Sequence, residues 1–310
     1  MRKEARIWCE KANRLLASDK LQEALEAYRE ALAIEPDLPE AHDGMGNVLY
    51  DMGQYQTAVE SFARAVQTKP GFPEAYKSMG DALFKLRRYE DALAAYRRAG
   101  ALHPGDEDIH FNMGVTLGML ARYEEAMVEY DIVLSLLDDE GASQDVVDAA
   151  LNRALVLLHL SRFEESILAF DAVLSARPDC TPAYLNKAEA QLCMFDFEGA
   201  IDTLATMPEE LHFPSSRAVA AFLRAIAGAA GGRAGFAGAD ELTRTADAAQ
   251  IEPGYWLFGE LEAFLLRARS RLDETAWQAC RLLVDVMKGE RPAAALDALP
   301  RSPVNRDAGP

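Results

Sequence analysis

The sequence predicts an all-α chain built as a solenoid of helical hairpins, and three observations lead there. The stretch from Pro73 to Pro104 reads as two short helices. Tyr76, Met79, Gly80 and Leu83 share one stripe, and Tyr89, Ala92, Tyr96 and Ala99 share another, each at the i, i+3/i+4, i+7 spacing of a buried helix face. The stretch also recurs. A shift of 34 residues back finds Met45-Gly46, Leu49, Tyr55, Ala58 and Phe62, and a shift of 34 forward finds Met113-Gly114, Leu117, Tyr123, Ala126 and Tyr130. Finally, one such hairpin has no means of burying its apolar face alone, and the chain supplies neighbours of the same shape.

This period and pattern resemble the tetratricopeptide repeat, in which a large residue, Leu-Gly, Tyr, Ala, Phe and Pro stand at fixed offsets. The resemblance covers about two-thirds of the chain. It implies a right-handed superhelical solenoid of helix-turn-helix repeats, its inner groove lined by the first helices, with a protein-interaction role. Six repeats start at Ala5, Pro39, Pro73, Glu107, Val147 and Thr181 and occupy residues 5–214.

In repeat one the pattern residues are Trp8, Ala12, Leu15, Leu21, Ala24, Tyr28, Ala31 and Pro36. Small residues recur where helices cross: Ala12, Gly46, Gly80, Gly114, Ala154 and Ala188 in first helices, and Ala24, Ala58, Ala92, Ala126, Ser166 and Ala200 in second helices. Tyr28, Phe62, Tyr96, Tyr130, Phe170 and Leu204 fill the space between repeats. Between repeats four and five the step is 40 rather than 34, with the extra residues around Asp138 to Gln144, read as a longer surface loop that leaves the stacking intact. In repeat six Pro208 arrives early and stops the last helix near Thr206. Residues 215–230 read as a small-residue helix, Gly231 to Gly238 as a loop, and 239–251 as helical. Tyr255–Arg271 and Asp273–Lys288 read as a further hairpin, so that residues 215–299 form degenerate repeats capping the solenoid. The tail 300–310 is polar and rich in Pro and Gly, and is expected to be disordered.

Charge bounds the partners. Of the 310 residues, 50% are hydrophobic, ample for a packed core, and the formal net charge is −18. Residues 1–210 hold 20 Lys/Arg against 38 Asp/Glu, while 211–310 hold 12 against 12. An acidic solenoid argues against nucleic acid or an anionic membrane as partner. Cys9, Cys180, Cys193 and Cys280 form no C-x-x-C pair, which suits a reducing compartment. The charged N-terminus lacks an apolar leader core, and no run is long enough to span a bilayer, so a cytoplasmic protein is expected.

No catalytic or metal constellation is recognisable. His42, His103, His110, His159 and His212 are dispersed, and H-E-x-x-H, G-x-S-x-G, G-x-G-x-x-G and P-loop patterns are absent. The expectation is therefore neither enzyme activity nor a cofactor or bound metal. Inward positions of the first helices are the candidate peptide-binding residues. Asn112, Asn152 and Asn186 share one repeat position. A carboxamide offers an acceptor and two donors that match a peptide group. The row resembles the asparagine ladders with which some members of the family hold an extended peptide, and Gly44 and Ser78 interrupt it in repeats two and three. Flanking positions run from polar (Asp43, Asn47, Lys77, Asp81) to apolar (Phe111, Val115, Leu151, Leu155, Leu185). Either a partner covers that apolar stretch or the chain's own segment from Tyr255 to Leu266 folds back onto it. The carboxylate clamp that some members use on chaperone tails is not matched: Asn13 fits, but Cys9, Gly44, Glu74 and Ser78 do not. The expected function is a scaffold that binds a peptide or helical segment of another protein in its groove. The alternative is a structural protein that self-assembles through its concave face or ends.

Overall fold

Apolar stripes at helical spacing become helices throughout the computed structural model, which describes residues 2–137, 143–208, 214–230, 259–272 and 274–287. Among these residues there are fifteen helices and no strand. The chain divides into two units, Met1–Ala149 and Ala150–Pro310.

Unit 1 holds α1 (Arg2–Leu16), α2 (Leu21–Ile34), α3 (Pro39–Asp51), α4 (Tyr55–Thr68), α5 (Pro73–Lys85), α6 (Tyr89–Leu102), α7 (Glu107–Met119) and α8 (Tyr123–Leu136). They pair α1 with α2, α3 with α4, α5 with α6 and α7 with α8, and each second helix packs on the next first helix. Helix starts have local causes. Pro39 and Pro73 occupy the first turns of α3 and α5, where a missing N–H costs nothing, and the Asp106 carboxylate caps α7 by accepting from the Ile109 N–H at 3.1 Å. The pattern aromatics are interior: Tyr28, Phe62, Tyr96 and Tyr130 are all buried, and Ala24, Ala58, Ala92 and Ala126 are closed to solvent at the crossings.

One turn recurs between first and second helices. Asp19, Gly53, Arg87, Ala121, Ser161 and Phe195 all have φ between +54° and +73°. The residue after each donates its N–H to a carbonyl five residues back, Arg88 to Leu83 at 2.9 Å for example, which terminates the first helix in a left-handed cap. Gly53 alone takes this φ without side-chain strain. A second recurrent bond ties three of the hairpins to the loop before them. Nε2 of His42 bonds the Pro36 carbonyl at 2.8 Å, Nε2 of His110 bonds the Pro104 carbonyl at 3.1 Å, and the Tyr184 hydroxyl donates to the Pro178 carbonyl at 3.2 Å.

The unit boundary falls inside α9 (Gln144–His159). Both α1 and α9 begin three residues before the repeat starts read from the sequence, at Arg2 and Gln144. Unit 2 continues with α10 (Phe163–Ala176), α11 (Thr181–Cys193), α12 (Phe197–Ala205), α13 (Pro214–Ala230), α14 (Gly259–Ala268) and α15 (Glu274–Met287). At the α9–α10 crossing Ser166 replaces alanine, and its hydroxyl donates to the Ala154 carbonyl at 2.9 Å, so the buried polar atom is satisfied. Helix α13 is largely apolar, with Val219 to Leu223 and Ala225 to Ala227 buried, and its half-buried Arg224 donates to the Leu204 carbonyl at 3.3 Å. It packs on α11, α12 and α15, while α14 packs on α11 and α15. Three arginines fasten α14 and its C-terminal turn: Arg267 stands over Phe163 at 5.1 Å, Arg269 over Trp277 at 4.3 Å and Arg271 over Phe195 at 4.4 Å. The expected insertion around 138–142, the loop and helix across 231–251, residues 252–258 and the tail 300–310 lie outside the described residues.

Candidate functional site

In unit 1 the first helices α3, α5 and α7 bring chemistry together at a pocket of about 220 Å³. Tyr50 of α3 and Phe84 of α5 contribute aromatic walls, Val115 of α7 an aliphatic one, and Lys85 stands exposed at the rim. Asp81, Asn112 and Tyr96, the last from α6, add polar groups. The two wall rings are held in place. Tyr55 meets Tyr50 edge-on with centroids 5.3 Å apart, and Tyr89 meets Phe84 in the same way at 5.2 Å.

Asp81 is the hub. Its Oδ1 accepts from the Tyr96 hydroxyl at 2.6 Å and from Nδ2 of Asn112 at 3.1 Å. Burial pushes the Asp81 carboxyl up from its ordinary range, against the Tyr96 hydrogen bond and the nearby Lys77 and Lys85 charges. Burial, then the Asp81 charge, pushes the Tyr96 hydroxyl far above its usual value, so it remains a donor. Beside the pocket, Lys77 Nζ bonds Asp108 at 2.5 Å and lies 3.7 Å from Asp106. Burial works against the Lys77 charge, but those carboxylates and Asp81 outweigh it and its pKa is raised.

Asp43 and Asn47 form an i, i+4 pair on α3, Nδ2 of Asn47 donating to Asp43 Oδ2 at 3.4 Å. The other Asp43 oxygen is buried with no hydrogen-bond partner. Burial, and then the charge of Glu74, push this carboxyl up to about 6.

The three asparagines divide between the units, Asn112 in unit 1 and Asn152 and Asn186 in unit 2. The Asn112 amide is committed to Asp81, and Nδ2 of Asn186 donates to the Pro182 carbonyl of its own helix at 2.7 Å. Asn152 is half-buried. Of the apolar candidates, Val115 lines the pocket, while Phe111 stands edge-on to Tyr130 at 5.9 Å and packs on the Val133–Leu137–Ala149 cluster. Leu151 and Leu155 are half-buried in unit 2, and Leu185 packs against that unit's core. In the same core lie Leu158 and Leu192, near the ends of the first helices of repeats five and six, with Phe222 of α13 and Phe264 of α14, and both C-terminal helices pack on α11.

Tyr96 is the pocket residue that pattern reasoning assigned to the interior alone. The sequence marks it only as a hydroxyl-bearing Tyr on a second helix, a donor whose acceptor, Asp81, the pattern does not name. Tyr28 and Asn13 form the equivalent bonded pair one repeat-pair earlier. Among the described residues no group of three or more His, Cys, Asp or Glu side chains is placed to hold a metal ion. No described helix is long and apolar enough to cross a membrane.

Family profiles described as tetratricopeptide repeat and TPR repeat match residues 44–107 and 122–180 and residues 12–52, together half of the chain. No curated protein gives a match. Among solved structures, YrrB, described as a TPR protein with an unusual peptide-binding site, shares 25% identity over 57% of this chain and 88% of its own, with a TM-score of 0.52. A tetratricopeptide repeat protein from Parabacteroides merdae shares the fold at 18% identity, covering 91% of this chain and 99% of its own, with a TM-score of 0.59. PilF of Pseudomonas aeruginosa does so at 19% identity, covering 68% and 93%, with a TM-score of 0.53.

Proposed function

The chain belongs to the tetratricopeptide repeat family, and we propose that it is a protein-interaction scaffold that seats a peptide or helical segment of a partner protein on the face made by α3, α5 and α7. The observation that carries this reading is the pocket at Tyr50, Asp81, Phe84 and Val115. Its wall rings are fixed by edge-on neighbours. A site whose side chains are already ordered loses little entropy on binding. Asp43 and Asn47 of α3, Lys77 of α5 and Phe111 of α7 stand on the same three helices and are further candidate contacts. Support from likeness comes from YrrB, whose description includes a peptide-binding site.

Asn112 acts within the pocket, where its remaining N–H and its carbonyl oxygen are available to a backbone group of the bound segment. In unit 2, Asn152, Leu151 and Leu155 are candidate peptide-binding positions of that unit in its own right.

The test is affinity capture from the native cell with wild type, with Val115→Arg and with Glu60→Gln, an exposed change on α4. A partner captured by wild type and by Glu60→Gln but lost with Val115→Arg supports the reading. Capture that ignores Val115→Arg overturns it. So does concentration-dependent self-association that Val115→Arg abolishes, since that is the behaviour of a self-assembling structural protein.

A further inference from the structure

Building on the partner-binding reading of this face, we infer that the α3–α5–α7 pocket takes a basic side chain, lysine or arginine, from the partner segment, with Asp81 as its counter-charge. Both hydrogen bonds to this carboxylate land on Oδ1. Its Oδ2 has no hydrogen bond or ion pair among the described residues, and it is not among the atoms sealed from solvent. The cations nearby are otherwise placed: Lys77 is held by Asp108 and Asp106, and Lys85 is exposed at the rim without an ion pair to Asp81. The Lys77 and Lys85 charges favour this half-buried carboxylate without bonding it, burial outweighs them, and an incoming cation on the open oxygen removes the desolvation cost that remains.

The walls fit the same guest. Cations are attracted to the faces of rings such as Tyr50 and Phe84, and an aliphatic stem suits the methyl groups of Val115. At about 220 Å³ the pocket is smaller than the range typical of drug-sized ligands, roughly 300–1,000 Å³, and it is of a size for one long side chain. The surrounding charge has the complementary sign, with 38 Asp/Glu against 20 Lys/Arg in residues 1–210.

A random-peptide phage library selected on the full chain supplies the probe. The strongest peptide is then synthesised in two forms, as selected and with its basic residue replaced by the uncharged isostere, citrulline or acetyl-lysine. Binding of both forms to wild type, Asp81→Asn and Val115→Arg is read by fluorescence anisotropy. We expect the selected peptides to share one fixed basic residue. Neutralising it should weaken wild-type binding by roughly tenfold to a hundredfold. Asp81→Asn should weaken it by a similar factor, and the two losses should not add. Asparagine at 81 still offers Tyr96 an acceptor, and the neutral peptide leaves the protein untouched, so the charge test holds even if the variant misfolds. Peptides lost with Val115→Arg but indifferent to their own charge overturn the basic-side-chain assignment and leave the partner-binding face standing. Peptides indifferent to Val115→Arg, or no enriched peptide at all, overturn both.

Discussion

Gly80 of α5 lies flat against the ring of Tyr96 on α6: a methyl group on its Cα would fall 2.5 Å from Tyr96 Cε1. The same contact recurs as Gly46 on Phe62 at 2.6 Å and Gly114 on Tyr130 at 2.8 Å. These rings are buried and have no room to retreat, so Gly80→Ala should destabilise by about 1–3 kcal/mol. Gly118→Ala is the control, because nothing lies within 4 Å of its added methyl. It should stabilise by up to about 1 kcal/mol through helix propensity alone. Urea unfolding of the two variants should therefore move in opposite directions.

At the interhelical turns, Gly53→Ala should cost about 1 kcal/mol by forcing a side chain into φ +73°. The reverse change at an equivalent turn, Ala121→Gly at φ +54°, should gain up to about 1 kcal/mol. Thermal melts of both variants check the pair. A loss at both turns would mean that φ is not what distinguishes them.

Asp43 gives the chain a pH dependence of definite sign. Its folded value of about 6 is raised by burial first and Glu74 second, above an unfolded value of about 3.9. Between these values the folded chain holds the proton more tightly than the unfolded one. Stability from this residue is thus fullest below about pH 4, falls as pH rises toward about 6, and is flat above. The loss is on the order of 2–3 kcal/mol. Asp43→Asn should recover that amount at pH 8 and nothing at pH 4, as read by denaturant midpoints at the two pH values. An equal effect at both would remove Asp43 as the titrating group.

In unit 2, Phe264 is closed to solvent and packs against Phe195 at 5.5 Å. Phe264→Ala should destabilise that unit by about 3–5 kcal/mol. Leu266→Ala, on the same helix but 81% exposed, should change stability by less than about 0.5 kcal/mol. Hydrogen exchange resolved by segment would separate the two, with loss of protection in α11 and α13 expected for the first variant alone.

The hairpins were legible because their apolar stripes and small crossing residues repeat with one period, and the offsets alone place Asp81, Phe84, Asn112 and Val115 on first helices. Their convergence on one pocket was not legible, because it depends on Tyr96 reaching through from a second helix to Asp81. The left-handed turns were hidden as well. Arg87, Ala121, Ser161 and Phe195 carry no glycine signal, since the cap is set by backbone bonds such as Arg88 N–H to Leu83. His42 and His110 looked dispersed, yet both bond the proline carbonyl six residues earlier, a contact that only repeat-relative numbering exposes. The packing of α13 and α14 on α11 is a contact between segments of unrelated pattern, and periodicity is silent on such contacts.

The turn position has a consequence for how chains of this kind diversify. Because hydrogen bonds of the main chain fix its shape, its side chain is a free letter: an acid at Asp19, a base at Arg87, a methyl at Ala121, a hydroxyl at Ser161, all exposed. Drift there can change the surface charge at each turn, at a penalty of about 1 kcal/mol per non-glycine residue, without disturbing an interhelical contact. Phe195 marks where that freedom has ended. Its ring contacts Phe264 and Arg271 and packs against the core of unit 2, so a change there touches that core.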